Sequence, residues 1–219
     1  MKRGTFGYAR GVEYAFGDIT VACSNVDRVV FPEHGITKGE VIAYYRDVAA
    51  LMVPELRGRP LTVVRYTKGI DRGGFYQKHY QKHFPAWVDR VAAGTRTVVE
   101  YPIVDREAGV VYMANQGAIE LHGWTSRKDA LQRPDLLVFD LDPPDGRFDL
   151  ARRAAQRVRE LLEQLGLPAF VKLTGGKGLH VVVPLDDEAG FDEAGELATR
   201  IGALLCRRHP DAMTIYFYK

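Results

Sequence analysis

The sequence predicts an α+β or α/β core in which a mixed or antiparallel sheet is flanked by helices. Three observations support this fold class. Segments with helical periodicity alternate with strand-like runs. Some of these runs are separated by connections short enough for hairpins. Of the 219 residues, 46% are hydrophobic and 26% are charged, the balance of a globular chain that can bury one large core or two small ones.

The N-terminal half contains one clear helix and one clear strand. Thr37 is followed three residues later by Glu40, which is the pattern of a capping box. Apolar residues then recur at helical spacing, so we expect a helix over about 38–52. Residues 61–66 are rich in β-branched side chains and are expected to form a strand.

A hairpin is expected next, because the apolar segments 101–104 and 110–114 flank a turn-like segment at 105–109. The Gln-Arg-Pro sequence at 132–134 is the best candidate seam in the chain. It would separate an N-terminal portion, residues 1–133, from a second portion, residues 134–219.

The second portion shows four elements in order. Leucine, alanine and valine at helical spacing predict a helix over 150–165, which ends at a glycine and a proline. Residues 169–173 and 179–183 are expected to be strands, joined by the glycine-rich connection 174–178. A last helix is expected over about 191–205.

The composition excludes several classes of protein. The formal net charge of +2 neither demands nor excludes a nucleic-acid partner. Cys23 and Cys206 are too few for a disulfide scaffold or a cysteine-based zinc site. Charged residues interrupt the N-terminal segment, so we expect no secretory signal, and no apolar run approaches the length of a membrane span. The expectation is a cytoplasmic protein without a membrane partner.

The segment 136–144 carries the most chemical information. Four apolar residues lead directly into Asp140 and Asp142, which point to the same face of an extended chain. Two adjacent carboxylates repel each other unless a cation lies between them, and their hard oxygen ligands suit Mg²⁺ or Mn²⁺. The same segment is also consistent with a strand end followed by an ordinary turn, since prolines and a glycine come next.

The glycine-rich segment 174–180, Thr-Gly-Gly-Lys-Gly-Leu-His, is the second chemical motif. Its glycines leave backbone amides free to approach phosphate oxygens, beside one ammonium and one imidazole. The segment is not a P-loop, because Val171 and Gly178 occupy positions where that motif needs a glycine and a serine or threonine. A hairpin loop with a solvated Lys177 and a structural His180 is the other interpretation.

Residues 57–84 combine positive charge with aromatic rings. Seven lysine and arginine residues stand there against a single acid, Asp71, and five tyrosine and phenylalanine rings are interleaved with them. Cations that neutralise phosphates, beside rings that stack on bases, are typical of a nucleic-acid-binding surface. A merely solvated face is the alternative.

Taken in order, the motifs resemble the polymerase domain of bacterial ligase D, which belongs to the archaeo-eukaryotic primase superfamily and acts in end joining. The matching segments are SNVDRVVFPEHGITKGEVIAYY, LRGRPLTVVRYTKGI, GGFYQKH, MANQGAIELHGW, VFDLDPPDG and TGGKGLH followed by VVVPL. They cover nearly the whole chain. The resemblance implies an α+β primase-polymerase-like core flanked by helices, with an N-terminal α/β subdomain, in a single domain over 1–219.

The resemblance also implies roles for individual residues. Asp140 and Asp142 match the catalytic pair that holds two Mn²⁺ or Mg²⁺ ions against an incoming nucleoside triphosphate. The residues that it implies for nucleotide binding are His122, Thr174, Gly175, Gly176, Lys177 and His180. Those that it implies for DNA binding are Arg28, Lys38, Arg65, Phe75, Tyr76 and Lys78. Among these, Arg28 and Lys38 face the 5′-phosphate of a DNA end, and the aromatic pair lies beside the template strand.

The sequence departs from the family pattern at four places. Arg28, Tyr76 and Thr174 replace a lysine, a phenylalanine and a serine, and each preserves the physical role. The family's third catalytic aspartate lies on a strand beyond the position of Lys219, and no residue after Asp211 replaces it. We therefore expect the domain to lack its C-terminal part.

The leading hypothesis is an end-joining DNA-repair nucleotidyltransferase that adds ribonucleotides or deoxyribonucleotides to a primer 3′-hydroxyl. Its expected partners are DNA ends, Ku and a DNA ligase, at the nucleoid. The alternative is a module that binds DNA ends and nucleotide without catalysis, because the third aspartate is missing. A phosphohydrolase of the haloacid dehalogenase type is a weaker alternative, since Pro143 and Pro144 stand where that family needs a small polar residue.

Overall fold

A computed structural model describes residues 11–94, 97–186 and 188–215. The chain divides into two compact units, Met1–Trp124 and Thr125–Lys219. The candidate seam at 132–134 lies inside the second unit. Across the described ranges, no helix combines the length and the apolar character needed to cross a membrane.

The first unit contains nine strands and two helices within its described residues. The strands are β1 Val12–Phe16, β2 Ile19–Cys23, β3 Val29–Phe31, β4 Ile36–Thr37, β5 Leu61–Arg65, β6 Phe75–Gln77, β7 Asp89–Ala93, β8 Val99–Ile103 and β9 Ala118–Gly123. The helices are α1 Lys38–Leu56 and α2 Glu107–Asn115, with a short 3-10 turn at Ile70–Arg72. The sheets are small and antiparallel. Three of them are two-stranded, β1 with β2, β3 with β4 and β7 with β8, and a fourth has three strands in the order β6-β5-β9.

One hydrophobic core joins both helices of this unit to strands β2 and β5. Ile42 of α1, Val111 of α2 and Val63 of β5 are at most 2% exposed and belong to the same cluster. Burial of such side chains supplies the main stabilisation of the unit. The core therefore fixes β5, the central strand of the β6-β5-β9 sheet.

Helix α1 begins where the sequence predicts. The Thr37 hydroxyl accepts a hydrogen bond from the Glu40 amide, and the Glu40 carboxylate accepts one from the Thr37 amide at 2.8 Å, so the capping box is confirmed. The helix ends at Leu56 rather than near residue 52 and includes Pro54. Burial of Val53 and Leu56 holds this last turn against the helix-breaking tendency of proline.

The hairpin predicted over residues 101–114 is wrong. Strand β8 pairs with β7, and residues 110–114 lie inside helix α2. Every residue from Ala108 to Ala114 is buried. A segment that is apolar on all sides shows neither the strand nor the helix period, so its pattern could not distinguish the two.

The second unit is a three-stranded antiparallel sheet with two helices. The elements are β10 Leu136–Leu141, α3 Phe148–Gln164, β11 Phe170–Leu173, β12 Leu179–Pro184 and α4 Phe191–Arg208, with a 3-10 turn at Pro144–Gly146. The strand order is β10-β12-β11. The predicted helices and the glycine-linked hairpin of this portion are confirmed.

The helices of the second unit share a core with one face of the sheet. Val181 and Val183 of β12 are fully buried, in one cluster with Val158 of α3 and Ile201 of α4. Side chains of a strand alternate between faces. The residues between these valines, His180 among them, therefore point to the opposite face of the sheet.

The capping box gives the first testable prediction. Substitution of Thr37 by alanine removes the side-chain acceptor for the Glu40 amide, and we expect the free energy of unfolding to fall by about 1 kcal/mol. Thr37→Ser keeps the hydroxyl and is the matched control, with a smaller loss expected. Urea unfolding monitored by circular dichroism measures both, and equal midpoints for Thr37→Ala and wild type would contradict the assigned cap.

Candidate functional site

The two candidate metal-binding carboxylates lie at the end of β10. Asp140 is the next-to-last residue of the strand and Asp142 follows it. The antiparallel register places Asp140 directly opposite His180 of β12, and the His180 Nε2 lies 3.4 Å from the Asp140 Oδ1. The Asp140 side chain is 57% exposed. Strand pairing thus brings a carboxylate and an imidazole together on the sheet face opposite the helices.

The glycine-rich loop between β11 and β12 is closed by its own threonine. The Thr174 hydroxyl donates to the Gly178 carbonyl at 3.2 Å and accepts from the Gly176 amide at 3.4 Å. Gly175 has φ of +80°, a conformation that favours glycine. Lys177 is exposed at the tip of this loop.

Gly178 fixes the loop against the end of β10. A Cβ atom at this position would lie 2.3 Å from the Leu141 carbonyl oxygen and 2.8 Å from the Asp142 Oδ1. Only glycine permits backbone to approach so closely. The candidate phosphate-binding loop and the two candidate metal-binding carboxylates therefore adjoin each other in one unit.

The donor set at this position fits a hard divalent ion. Asp140 and Asp142 offer carboxylate oxygens, and Mg²⁺ is usually bound through one or two carboxylates with water and phosphate oxygens as its other ligands. Within the described part of the chain, no group of three or more histidine, cysteine, aspartate or glutamate side chains is arranged to hold a metal ion. Among the described residues, the candidate ligands at this position are therefore the two carboxylates alone.

In the first unit, Arg28 and Lys38 line one small pocket. Its other lining residues are Val30, Val41, Tyr66, Ala114, Gly117 and Ile119. The Nε of Arg28 is buried and, among the residues that the structure describes, finds no hydrogen-bond partner. Two cations with an unused donor are suited to an anionic ligand.

Lys38 is only 6% exposed and is held by two acceptors. Its Nζ donates to the Ser24 carbonyl at 2.7 Å and to the Asn115 Oδ1 at 2.8 Å. Burial, reinforced by the positive charge of Arg28, lowers the pKa of Lys38 to about 8. Sequence reasoning found Lys38 but missed Ser24 and Asn115, because no local pattern indicates that they contact it.

The aromatic pair predicted to contact DNA is divided by strand alternation. Phe75 and Tyr76 are neighbours in β6 and so face opposite sides of the strand. The Arg65 guanidinium lies 5.7 Å from the Phe75 ring centroid and donates to Gln77 and to the Gln116 carbonyl. Tyr76 is 74% exposed. Each ring therefore offers a separate surface rather than a shared platform.

His122 belongs to a small network on the same sheet as Tyr76. Its Nε2 lies 3.1 Å from the Glu120 Oε2, and the Tyr66 hydroxyl donates to the Glu120 Oε1 at 2.8 Å. The hydrogen bond to Glu120 raises the pKa of Tyr66. The Tyr76 ring centroid is 6.1 Å from that of His122. Glu120 was not predicted as a site residue, although its position two residues before His122 on β9 places both on one face.

The structure thus groups the candidate residues by unit. Asp140, Asp142, the 174–178 loop and His180 lie together in the second unit. The first unit carries His122 with the β6 aromatics, the exposed Lys78 just beyond β6, and the Arg28 and Lys38 pocket.

Comparison with known families identifies the chain. It belongs to the LigD primase-polymerase domain family, whose profile matches residues 37–219. The polymerase domain from Mycobacterium tuberculosis ligase D, solved in complex with DNA, superposes with a TM-score of 0.84 at 33% sequence identity, over 90% of this chain and 72% of that one. The predicted α+β primase-polymerase fold is confirmed.

Longer relatives are similar to this chain over a part of their length. The multifunctional non-homologous end joining DNA repair protein LigD of Mycobacterium tuberculosis is 34% identical over 209 residues, 89% of this chain and 27% of the relative. The Pseudomonas aeruginosa LigD protein is 35% identical over 196 residues, 87% of this chain and 23% of the relative. The bifunctional LigD protein of Bacillus subtilis is 29% identical over 194 residues, 87% and 31% respectively. The chain therefore spans less than a third of the length of these relatives.

The contact at Gly178 gives the second prediction. In Gly178→Ala the added methyl group collides with backbone, so the loop has to move away from Asp142, and we expect a loss of about 2 kcal/mol in unfolding free energy. Gly176→Ala is the matched control, because a Cβ there meets only the Thr174 hydroxyl at 3.7 Å. Thermal unfolding compares the two variants. Equal melting temperatures would show that the loop is not pressed against β10.

Proposed function

We propose that this chain is a metal-dependent nucleotidyltransferase of end-joining DNA repair, which adds nucleotides to a primer 3′-hydroxyl at DNA ends or gaps. The contact of Gly178 with Leu141 and Asp142 is the observation that supports this most directly. It places a loop suited to phosphate beside a pair of carboxylates suited to a divalent ion. Membership in a polymerase-domain family and likeness to a domain solved with DNA support the choice of substrate.

Asp140 and Asp142 are the residues that would hold Mn²⁺ or Mg²⁺, two ions in the proposed reaction. Such ions stabilise charge on the attacking and leaving oxygens of phosphoryl transfer. The primer 3′-hydroxyl loses its proton to solvent and its oxygen forms a bond to the α-phosphorus, while the bond from that phosphorus to the bridging oxygen breaks and pyrophosphate leaves. The contribution of the protein is to position the reactants and to neutralise their charge.

The loop residues have assigned roles in this scheme. The Lys177 ammonium and the Gly175 amide bind the β- and γ-phosphates, while the Gly176 amide is held by the Thr174 hydroxyl. The Thr174 hydroxyl keeps the loop closed through its hydrogen bond to the Gly178 carbonyl. His180, oriented by the Asp140 carboxylate, donates a hydrogen bond to a phosphate oxygen.

The first unit supplies the DNA contacts of the proposal. The Arg28 and Lys38 pocket receives a 5′-phosphate, because it combines two cations with the unused Nε of Arg28. Tyr76, Phe75 and Lys78 contact bases and phosphates of the strand ends. For His122 we keep the role in nucleotide binding that the family resemblance implies. The end-joining role in the printed name of the Mycobacterium tuberculosis relative supports DNA ends as the substrate. We extend the proposal, as the family resemblance implies, to Ku and a DNA ligase as partners, in the cytoplasm at the nucleoid.

A second candidate function is binding of DNA ends and nucleotide without transfer. It is favoured by one observation, that the described residues contain no cluster of three potential metal ligands. With two carboxylates alone, the ion that activates the primer hydroxyl would be held weakly. Nucleotide binding without primer extension distinguishes this candidate from the first.

The third prediction tests the metal-binding pair. With Mn²⁺, labelled nucleoside triphosphate and a gapped duplex, we expect wild type to extend the primer and Asp140→Ala to extend it slower by on the order of 100-fold or more, because the ion loses a charged ligand. Asp129→Ala removes an exposed carboxylate of the same unit and should extend normally. Unchanged extension by Asp140→Ala would refute the metal assignment. Binding of triphosphate by a wild type that never extends would favour the second candidate.

The fourth prediction concerns pH and Lys38. With a pKa of about 8, Lys38 loses its proton as the pH rises through that value, and one positive charge leaves the pocket. We therefore expect the preference for 5′-phosphorylated over 5′-hydroxyl DNA ends to fall between about pH 7 and about pH 9. A bound 5′-phosphate stabilises the charged form of Lys38. The fall in preference should therefore be centred above the pKa of Lys38 in the free protein.

The matched variant is Lys38→Arg, whose guanidinium remains charged throughout this window. Its preference for a 5′-phosphate should not change with pH. The ratio of the two dissociation constants, measured by fluorescence anisotropy with the two end chemistries, is the quantity to compare. A ratio for wild type that is constant from about pH 7 to about pH 9 would contradict the assignment of Lys38 to the 5′-phosphate.

A further inference from the structure

A lysine on the open face of the three-stranded sheet lies in line with the candidate metal site. Lys172 of β11 is directly opposite His180 of β12, and His180 is directly opposite Asp140 of β10. Residues directly opposed in antiparallel strands share a face. Asp140, His180 and Lys172 therefore form one row across all three strands.

This row lies on the face that the helices leave open. Leu179 and Val181, the residues on either side of His180, are buried in the core with α3 and α4. The alternation of side chains then turns His180 and its cross-strand neighbours away from the helices. Lys172 is exposed, and so is Thr174, which follows it on the same face at the start of the glycine-rich loop.

The spacing of the row matches an extended polyphosphate. Neighbouring strands lie about 4.8 Å apart, so the backbone of Lys172 is roughly 10 Å from that of Asp140. The four-carbon stem of lysine can carry its ammonium back over the strand between them. Charge changes sign along the row, from the Asp140 carboxylate to the Lys172 ammonium. A phosphate chain anchored through an ion at the carboxylates would meet Lys172 at its far end.

We propose that Lys172 binds the terminal phosphate of the nucleoside triphosphate. This inference rests on the proposed function and adds to it a residue that determines how many phosphates the site prefers. Lys177 and the loop amides hold the phosphates from the hairpin side, and Lys172 holds the end of the chain from β11. An ammonium that contacts a terminal phosphate recognises a triphosphate better than a monophosphate, because the monophosphate does not extend to it.

Nucleotide binding tests this directly. In the presence of Mn²⁺, the dissociation constants of ATP and AMP are measured by calorimetry for wild type and for Lys172→Met, which keeps the length of the side chain and removes its charge. We expect affinity for ATP to fall about tenfold, the loss of one exposed charge-assisted hydrogen bond, and affinity for AMP to be unchanged. Lys172→Arg should retain most of the ATP affinity.

Two further variants control for charge and folding. Arg152→Met removes one exposed positive charge from helix α3 of the same unit and should bind ATP as wild type does. Lys172→Gln repeats the test with a polar side chain, so a folding defect of the methionine variant does not decide the outcome.

The outcomes separate this inference from the proposed function. If wild type binds ATP and both charge-removing variants bind it equally well, the role of Lys172 is refuted and the proposed function stands. Equal losses for ATP and AMP would also refute it, because the terminal phosphate would not be the group recognised. If wild type binds no ATP with Mn²⁺, the proposed function fails, and the inference fails with it.

Discussion

The pairing of β10 with β12 is the interaction on which the candidate catalytic site depends. This pairing places Asp140 opposite His180 and brings the turn after β11 against the end of β10. A slip of one residue would turn His180 into the core and expose Val181, which is fully buried. The alternating apolar residues that fix this register therefore also fix the position of the polar ones. Packing on one face of the sheet determines the chemistry on the other.

Gly178 shows how closely the glycine-rich loop approaches the end of β10. The turn could not reach the Leu141 carbonyl if this residue carried a side chain. A glycine loses more conformational entropy on folding than other residues do, and this destabilises the folded state. The close backbone contact that Gly178 permits offsets that loss. The loop is thus set by backbone contact rather than by the flexible side chain of Lys177. A site positioned by backbone keeps its shape when side chains move.

The buried Lys38 represents a different kind of constraint. An ammonium taken out of water is destabilising unless its protons are bonded, and the Ser24 carbonyl and Asn115 supply two acceptors. Its pKa is lowered in the folded state, so the unfolded chain binds this proton more readily. The Lys38 contribution to stability is accordingly least favourable below about pH 8 and improves as the pH rises toward the ordinary lysine value. A cation kept in an unfavourable place is expected to serve binding rather than folding.

Much of the fold could be read from local pattern, and the failure at α2 shows the limit. The capping box at Thr37 and the periodic helices α3 and α4 are signals contained within a few turns of chain, and all three elements form as expected. Helix α2 is buried on every side, so its sequence lacks the polar face that would have revealed the helical period. Whether this segment forms a helix or a strand is decided by its packing in the surrounding core. The residues of that core are distant in sequence, so the local pattern does not show it. Packing also decides the end of α1, because the helix tolerates Pro54 where its neighbours Val53 and Leu56 are buried.

By itself the sequence determined which residues are candidates for binding or catalysis. These are the two aspartates one residue apart, the glycine-rich turn with its lysine, and the basic and aromatic segment. The opposite facing of Phe75 and Tyr76 follows from strand β6, which the sequence did not predict. Only the tertiary structure decided which groups meet. Asp140 contacts His180, Gly178 touches Leu141, and Asn115 reaches Lys38 across 77 positions of the chain. These contacts depend on strand register and on burial between distant segments, and both are properties of the packed chain as a whole.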